Sequence, residues 1–123
     1  MTNKELIEIW YFQMWNKWDK SVFNKILCNE ISFRGSLGQS KKGHKGISEY
    51  IDFVRQAFPD FHNQIDLIIS ENNKSFVKLT YTGTHQGEIF NMLPTNLPFA
   101  YTGAAVFTFN DNKISDVWVL GDV

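Results

Sequence analysis

Cysteine occurs once in the 123 residues, as Cys28. No disulfide can form within the chain, which fits a reducing, cytoplasmic setting. Cys28 stands in an apolar stretch with no cationic neighbour to draw out a thiolate, so it reads as a small buried hydrophobe rather than a nucleophile. An excess of one charge is missing too: 12 basic and 13 acidic residues leave a net charge of −1. Nucleic-acid binding draws on a basic excess that displaces counterions, and none is expected here. The cluster Lys41-Lys42-Gly43-His44-Lys45 is too short to hold a membrane surface and reads as a solvated loop leading into a helix. No apolar run approaches the about 18 residues of a membrane span. Lys4, Glu5 and Glu8 interrupt the first apolar residues, so no signal peptide is expected. The three histidines, His44, His62 and His85, lack metal-ligand spacing, and Cys28 has no partner, so no metal site is expected. Neither a phosphate-cradling glycine loop nor a nucleophile elbow is present, and no cofactor is expected.

What the chain has in quantity is aromatic rings. Eleven Phe, four Trp and four Tyr make up 15% of the residues, more than a small core usually requires. Either the core is very aromatic or some rings line a cavity. The length suits one domain over residues 1–123 with one core.

Apolar periodicity organises the chain. Leu6, Ile7, Trp10, Met14, Trp15 and Trp18 recur at three- and four-residue steps and predict a helix over 3–18, capped by Thr2 or Asn3 with Glu5 in its first turn. A shorter helix is expected over 19–28, then a strand over 30–34. Residues 35–46 read as a loop and pocket rim. Ile47, Tyr50, Ile51, Val54 and Phe58 predict a helix that Pro59 stops. The period then changes to two. Strands are expected over 61–70, 75–86, 99–109 and 114–121, with tight turns at 71–74 and 110–113 and an irregular excursion over 87–98. Helices first, then strands joined mainly by hairpins, argue an α+β fold with a bent, mostly antiparallel sheet. Gly83 and Gly103 interrupt long strands, as bends or bulges do.

In the last strand Ile114, Asp116, Trp118, Leu120 and Asp122 point one way; Ser115, Val117, Val119 and Gly121 point the other. Both sets are partly apolar, so parity alone does not name the inner face. If the Trp118 face is inner, Asp122 joins an apolar wall where desolvation disfavours the charged carboxylate. A carboxylate so placed can shuttle protons near neutral pH; otherwise it is a surface Asp at a strand end. His85 lies in phase with Val77, Leu79 and Tyr81 and is flanked by polar and glycine residues, as at a pocket edge. It reads either as a satisfied core histidine or as a hydrogen-bond partner for a carbonyl. His44 and His62 are weaker candidates.

Four phrases together resemble one family: Phe58-Pro59-Asp60-Phe61, Tyr81-Thr82-Gly83-Thr84-His85-Gln86-Gly87, Leu93-Pro94-Thr95, and Lys113-Ile114 followed by Val117-Trp118-Val119-Leu120-Gly121-Asp122. They resemble the SnoaL-like polyketide cyclases, often labelled ester cyclases, of the superfamily that includes nuclear transport factor two, ketosteroid isomerase and scytalone dehydratase. The resemblance covers nearly the whole chain. It implies a cone-shaped α+β barrel with N-terminal helices packed on the sheet, and cofactor-free ring closure by intramolecular aldol chemistry. By that resemblance Asp122 is the general acid/base and His85 helps to hold the substrate. The Trp118 face is then inner, and the pocket is lined by Trp118, Tyr81, Tyr101, Trp15, Leu120 and Phe58. The ligand implied is a small apolar or aromatic carbonyl compound. A homodimer is implied too, paired through an open sheet face bearing Ala104, Val106 and Thr108. Relatives usually continue beyond the Asp, where this sequence has only Val123, and Asn91-Met92-Leu93 stands where they often carry a glycine phrase. A non-catalytic binding module and a structural dimerisation domain are the other expectations for this fold, which by itself does not fix function.

Overall fold

The computed structural model describes residues 1–36 and 38–122. The chain starts with α1 (Asn3–Glu8), capped by Thr2: its hydroxyl accepts from the Glu5 amide while the Glu5 carboxylate takes the Thr2 amide. These bonds hold the Glu5 carboxyl below its ordinary range. From Ile9 to Trp15 the helix widens into a π-helix, closed by the Asn16 amide on the Tyr11 carbonyl at 2.9 Å. The expected helix over 3–18 is thus one turn shorter and half of it is π. The wider turn carries Trp10, Tyr11, Met14 and Trp15 to the buried side together. A 3₁₀ turn (Lys20–Val22) and the single turn α2 (Phe23–Ile26) replace the expected second helix.

Six strands follow: β1 (Leu27–Arg34), β2 (Ser40–Lys42), β3 (His62–Glu71), β4 (Lys74–Thr84), β5 (Pro98–Asn110) and β6 (Lys113–Gly121), with α3 (Gly43–Ala57) between β2 and β3. The segment expected to be a loop over 35–46 therefore contains β2 and the start of α3. Strand order is β2-β1-β6-β5-β4-β3. All pairings are antiparallel except that of β1 with β6, so the sheet is mixed. The fold is α+β with an open, bent sheet whose concave face receives the first helix and α3. Trp10 and Tyr11 meet Phe107 edge to face at 5.7 and 5.9 Å, a geometry that suits the ring quadrupole.

Two bulges decide which residues face inward. In β3 the register skips Asp66, and in β6 it skips Ser115. Each extra residue is clipped by its own side chain. The Asp66 carboxylate accepts from Thr80 Oγ1 (2.7 Å) and Gln64 Nε2 (2.8 Å), and Ser115 Oγ donates to the Thr108 carbonyl (3.0 Å). One inserted residue reverses the alternation beyond it. Asn63 and Ile65 face in, but Leu67 and Ile69 face out; Ile114 faces in, and so do Val117 and Val119, while Trp118 and Leu120 are exposed on the convex side. The expectation that Trp118 and Leu120 share an inner wall with Asp122 is corrected by this bulge. On the convex face Ile69, Phe76, Val106 and Trp118 form one cross-strand row, and Leu67, Lys78, Ala104 and Leu120 the next.

Gly83 and Gly103 do not mark bulges; pairing runs unbroken through both. They are seats for rings. A methyl group on Gly103 would overlap the Tyr81 ring, and one on Gly83 would lie 2.7 Å from the Phe99 ring. Gly103→Ala is therefore expected to destabilise the fold by about 1–3 kcal/mol through overpacking, measured by urea unfolding. The penalty should shrink in a Tyr81→Ala background, because the two changes share one contact.

Candidate functional site

The first helix, α3 and the concave face of the sheet do not close on one another. They leave a cavity of about 390 Å³ whose lining is mostly aromatic. Its rings hold one another open. Trp15 meets Tyr50 at 6.0 Å and Phe61 at 6.1 Å, Phe33 meets Tyr50 at 5.1 Å, and Phe58 meets Phe99 at 4.9 Å, each edge to face. Phe61 stacks on Tyr81 at 5.7 Å. Rings braced in this way lack the freedom to collapse inward.

The polar groups form a short stripe along one wall. At the mouth, Ser36 Oγ and the Tyr101 hydroxyl are 3.1 Å apart. Gly121 makes room for both: a methyl there would fall within 3.0 Å of the Tyr101 ring. Tyr101 pairs across the strands with Tyr81, ring centroids 4.9 Å apart. Beyond Tyr81 lies Tyr11, 2% exposed, whose hydroxyl has the Tyr81 hydroxyl as its polar neighbour. Burial pushes all three phenols above their ordinary range, Tyr11 furthest, with the neighbouring phenols reinforcing the effect for Tyr11 and Tyr81. Asn63, 2% exposed, completes the lining. Its backbone amide and Nδ2 both donate to Asn16 Oδ1, at 2.7 and 3.0 Å, and Asn16 Nδ2 returns a bond to the Asn63 carbonyl. This clamp ties the end of the π-helix to β3.

Asp122 is the only carboxylate side chain among the described residues of the lining. It follows the last residue of β6, its amide bonded to the Thr102 carbonyl at 2.9 Å, and it is exposed. Its place at the cavity comes from leaving the strand, not from the strand's alternation. Tyr81, Tyr101, Trp15 and Phe58 lie on the cavity wall; Trp118 and Leu120 lie on the opposite face of the sheet, where the Arg34 guanidinium sits 5.3 Å from the Trp118 ring. His85 is buried but is not part of the lining. Its Nδ1 is 3.2 Å from Thr95 Oγ1, its Nε2 is buried without a partner, and its ring rests 5.9 Å from Phe58, which separates it from the cavity. It reads as an anchor of the 85–97 segment, whose Asn96 amide bonds back to the His85 carbonyl at 2.8 Å.

Tyr11, Tyr50, Phe33, Phe61, Phe99 and Asn63 line the cavity without having been among the pocket residues expected from the sequence. A helical wheel places Tyr11 beside Ile7 and Trp15, a signal that was available. Asn63 in an apolar strand phase was another. Among the described residues no group of His, Cys, Asp and Glu is gathered to hold a metal, and no helix is long and apolar enough to cross a membrane.

An open bent sheet wrapped on N-terminal helices around a pocket is the ketosteroid isomerase-like architecture, and solved structures of that kind superpose on it. A candidate SnoaL-like polyketide cyclase from Jannaschia sp. CCS1 matches with a TM-score of 0.89 at 16% identity, over 98% of this chain and 85% of that one. IdmH of Streptomyces antibioticus, a candidate polyketide cyclase, matches at 0.85 and 18%, over 99% and 93%. AclR of Streptomyces galilaeus, a candidate hydroxylase, matches at 0.78 and 25%, over 96% and 77%. No curated protein matches the chain. The family model for the SnoaL-like polyketide cyclase matches residues 5–123, and the chain belongs to that family.

The buried phenols make an alkaline limb. The folded values are raised above the roughly 10 of a free tyrosine, so the folded state keeps protons that the unfolded chain has lost. Stability is therefore complete below about pH 10 and falls as pH rises from there through the folded values. Phenolate absorbance from Tyr11, Tyr81 and Tyr101 should appear only as the chain unfolds, and Tyr11→Phe should flatten the fall of urea stability above about pH 10.

Proposed function

We propose that the protein is a cofactor-free general acid/base enzyme of the cyclase or isomerase kind, acting on a small, uncharged aromatic carbonyl compound. The observation that carries this reading is the lining itself: one carboxylate, Asp122, at the mouth of a cavity otherwise walled by rings and neutral polar groups. In the proposed step the Asp122 carboxylate removes a proton from the carbon next to a carbonyl. The resulting enolate carbon attacks a second carbonyl carbon of the same molecule, a C–C bond forms, and the π electrons move onto oxygen. The carboxylic acid then returns its proton to that alkoxide. In the isomerase variant the proton returns to another carbon instead. His85, one ring removed from the ligand, acts in this reading by holding Phe58 and the 85–97 segment. The chain works as one domain over 1–123, in the cytoplasm.

A second reading has its own support. Asp122 is exposed rather than enclosed by the wall, and a neighbour of the same fold from Catenulispora acidiphila was solved in complex with trimethylamine. Aromatic faces and a carboxylate also suit a small amine, so a non-catalytic binding module is the alternative. One experiment separates the two. A panel of enolisable aryl ketones is followed for solvent deuterium uptake at the carbon beside the carbonyl. The enzyme reading expects acceleration that Asp122→Asn lowers by on the order of 10²–10⁴-fold while binding, read by thermal shift, persists. Binding without acceleration supports the module.

We also propose that two copies pair through the convex sheet face. The apolar row through Trp118, Val106, Phe76 and Ile69, flanked by Leu120 and Ala104 in the next row, which Lys78 interrupts before Leu67, forms a surface of the kind that calls for a cover. Trp118→Lys with Val106→Asp should convert a dimer mass to a monomer mass in light scattering at micromolar concentration, with the far-UV spectrum intact.

A further inference from the structure

Asn63 puts a neutral amide on the cavity wall, 2% exposed. Which end of that amide meets the cavity is fixed by the clamp to Asn16. Asn16 Nδ2 donates to the Asn63 carbonyl at 3.0 Å, so it is Asn16 Oδ1 that receives the Asn63 backbone amide at 2.7 Å. Only a donor can share that oxygen, and the Asn63 side chain does so through Nδ2 at 3.0 Å. The amide cannot flip without losing this bond, and its Oδ1 is turned away from Asn16. Oδ1 accepts no bond from any described residue, yet it is not sealed off from open space. On a side chain that lines the cavity, the open space is the cavity. Register gives its place along the wall. Asn63 pairs with Tyr81 and Tyr81 with Tyr101, so the three form one cross-strand row. Two strand spacings, about 10 Å, separate Asn63 from Tyr101 at the mouth. The phenols between have one another or Ser36 as polar neighbours.

We infer that Asn63 is a specificity-determining residue of the cavity: its Oδ1 accepts a hydrogen bond from a ring hydroxyl of the ligand, at the end remote from Asp122. This rests on the reading of the cavity as a small-molecule site and narrows the ligand class to flat aromatic compounds that carry a hydroxyl donor. An amide oxygen has no proton to give. A carbonyl, ether or carboxylate oxygen set against it brings lone pair to lone pair, and a bare ring leaves it unpaired once its water is displaced. A site built around a hydrogen bond rejects analogues that cannot make it. Because Asn16 holds the acceptor before any ligand arrives, little side-chain freedom is lost on binding.

The test uses 2-naphthol, 2-methoxynaphthalene and naphthalene, which share one ring frame. The first carries a donor, the second keeps the oxygen without the proton, and the third has neither. None has a carbonyl group, so they report binding and not turnover. The wild-type protein should bind 2-naphthol about tenfold more tightly than either of the others, the scale set by leaving a buried acceptor unpaired. The long-wavelength absorption band of bound 2-naphthol should lie to the red of its position in dry alkane. In Asn63→Leu, similar in shape but without an acceptor, the preference should fall to about one and the band should move back. The urea midpoint of that variant should fall, because one bond to Asn16 is lost, but a purely structural role would weaken all three probes alike and leave the preference intact. Asp122→Ala should keep both the preference and the band shift, which excludes the carboxylate as the acceptor. If Asn63→Leu does not fold, the wild-type comparison of 2-naphthol with 2-methoxynaphthalene decides. Equal binding of those two shows that a wall donor holds the oxygen and overturns the assignment. A preference or band shift that survives in Asn63→Leu, or is lost in Asp122→Ala, overturns it as well and leaves the cavity reading standing. Failure of all three probes to bind the wild-type protein overturns the cavity reading and this inference together.

Discussion

Much of the molecule depends on one inserted residue. Ser115 is the extra position in β6 opposite Thr108, clipped by its hydroxyl to the Thr108 carbonyl at 3.0 Å. Because side chains alternate with a period of two, this single insertion reverses every residue after it. It sends Val117 and Val119 into the core, which seals the concave side with small branched residues that leave room for rings from the helices. It sends Trp118 and Leu120 out, where they join Val106 and Ala104 in an apolar convex surface. It also sets the reach of the strand end, so that the chain carries Asp122 off β6 at the cavity mouth. Asp66 does the same in β3 and places Leu67 and Ile69 on the convex side. The two bulges lie on opposite flanks of the β4–β5 pair, and each adds local twist and bend. The same two residues thus curve the sheet and sort its faces.

The cavity persists because its walls cannot relax. An empty volume in a protein interior normally costs free energy through lost packing contacts. Here the rings that border it are already spent on one another: Trp15 on Tyr50 and Phe61, Phe61 on Tyr81, Tyr81 on Tyr101. To fill the space, one ring would have to leave several edge or stacked contacts at once. Glycines at 83, 103 and 121 let these rings lie flat against the sheet, and the Asn16–Asn63 clamp fixes the distance of the π-helix from β3. The aromatic excess that stands out in the composition is therefore both core and cavity wall, in one continuous layer.

How far this was legible in the sequence follows from the same residues. The α+β order, the turns at 71–74 and 110–113 and the inward face of β4 were readable, because alternation through Val77, Leu79 and Tyr81 is unbroken. The four phrases that carry the SnoaL-like resemblance were readable as well. The faces of β3 and β6 were not. Ile68 and Ile69 are both apolar, as are Val117 and Trp118, so parity across Asp66 and Ser115 could be drawn either way; the choice rests on hydrogen bonds to Thr80 and Thr108 that a linear pattern does not contain. The π-helix was equally hidden, since Trp10, Tyr11, Met14 and Trp15 fit three- and four-residue steps well enough. His85 kept its parity with Tyr81 only in the sequence: β4 ends at Thr84, and the chain then turns toward the end of α3, where the Gln86 and Gly87 amides both bond to the Ala57 carbonyl.

The electrostatic character of the cavity constrains what chemistry it can host more tightly than the fold does. Its interior offers phenol donors, carbonyl and amide dipoles and ring faces, and no cationic side chain. A dianionic intermediate, or a substrate that must lie in it as a carboxylate or phosphate, would lose its hydration and gain no counter-charge. A transient enolate is a different matter. Its charge is spread over carbon and oxygen, it exists only between two proton transfers, and a neutral phenol can donate to it without first being desolvated itself, because the phenol is already buried. The one carboxylate then belongs at the mouth, not the floor. There water can solvate Asp122, which spares the fold the cost of a permanently buried charge. With the carboxylate at the rim and the phenols in the depth, the charged and the neutral polar groups of the wall are kept apart.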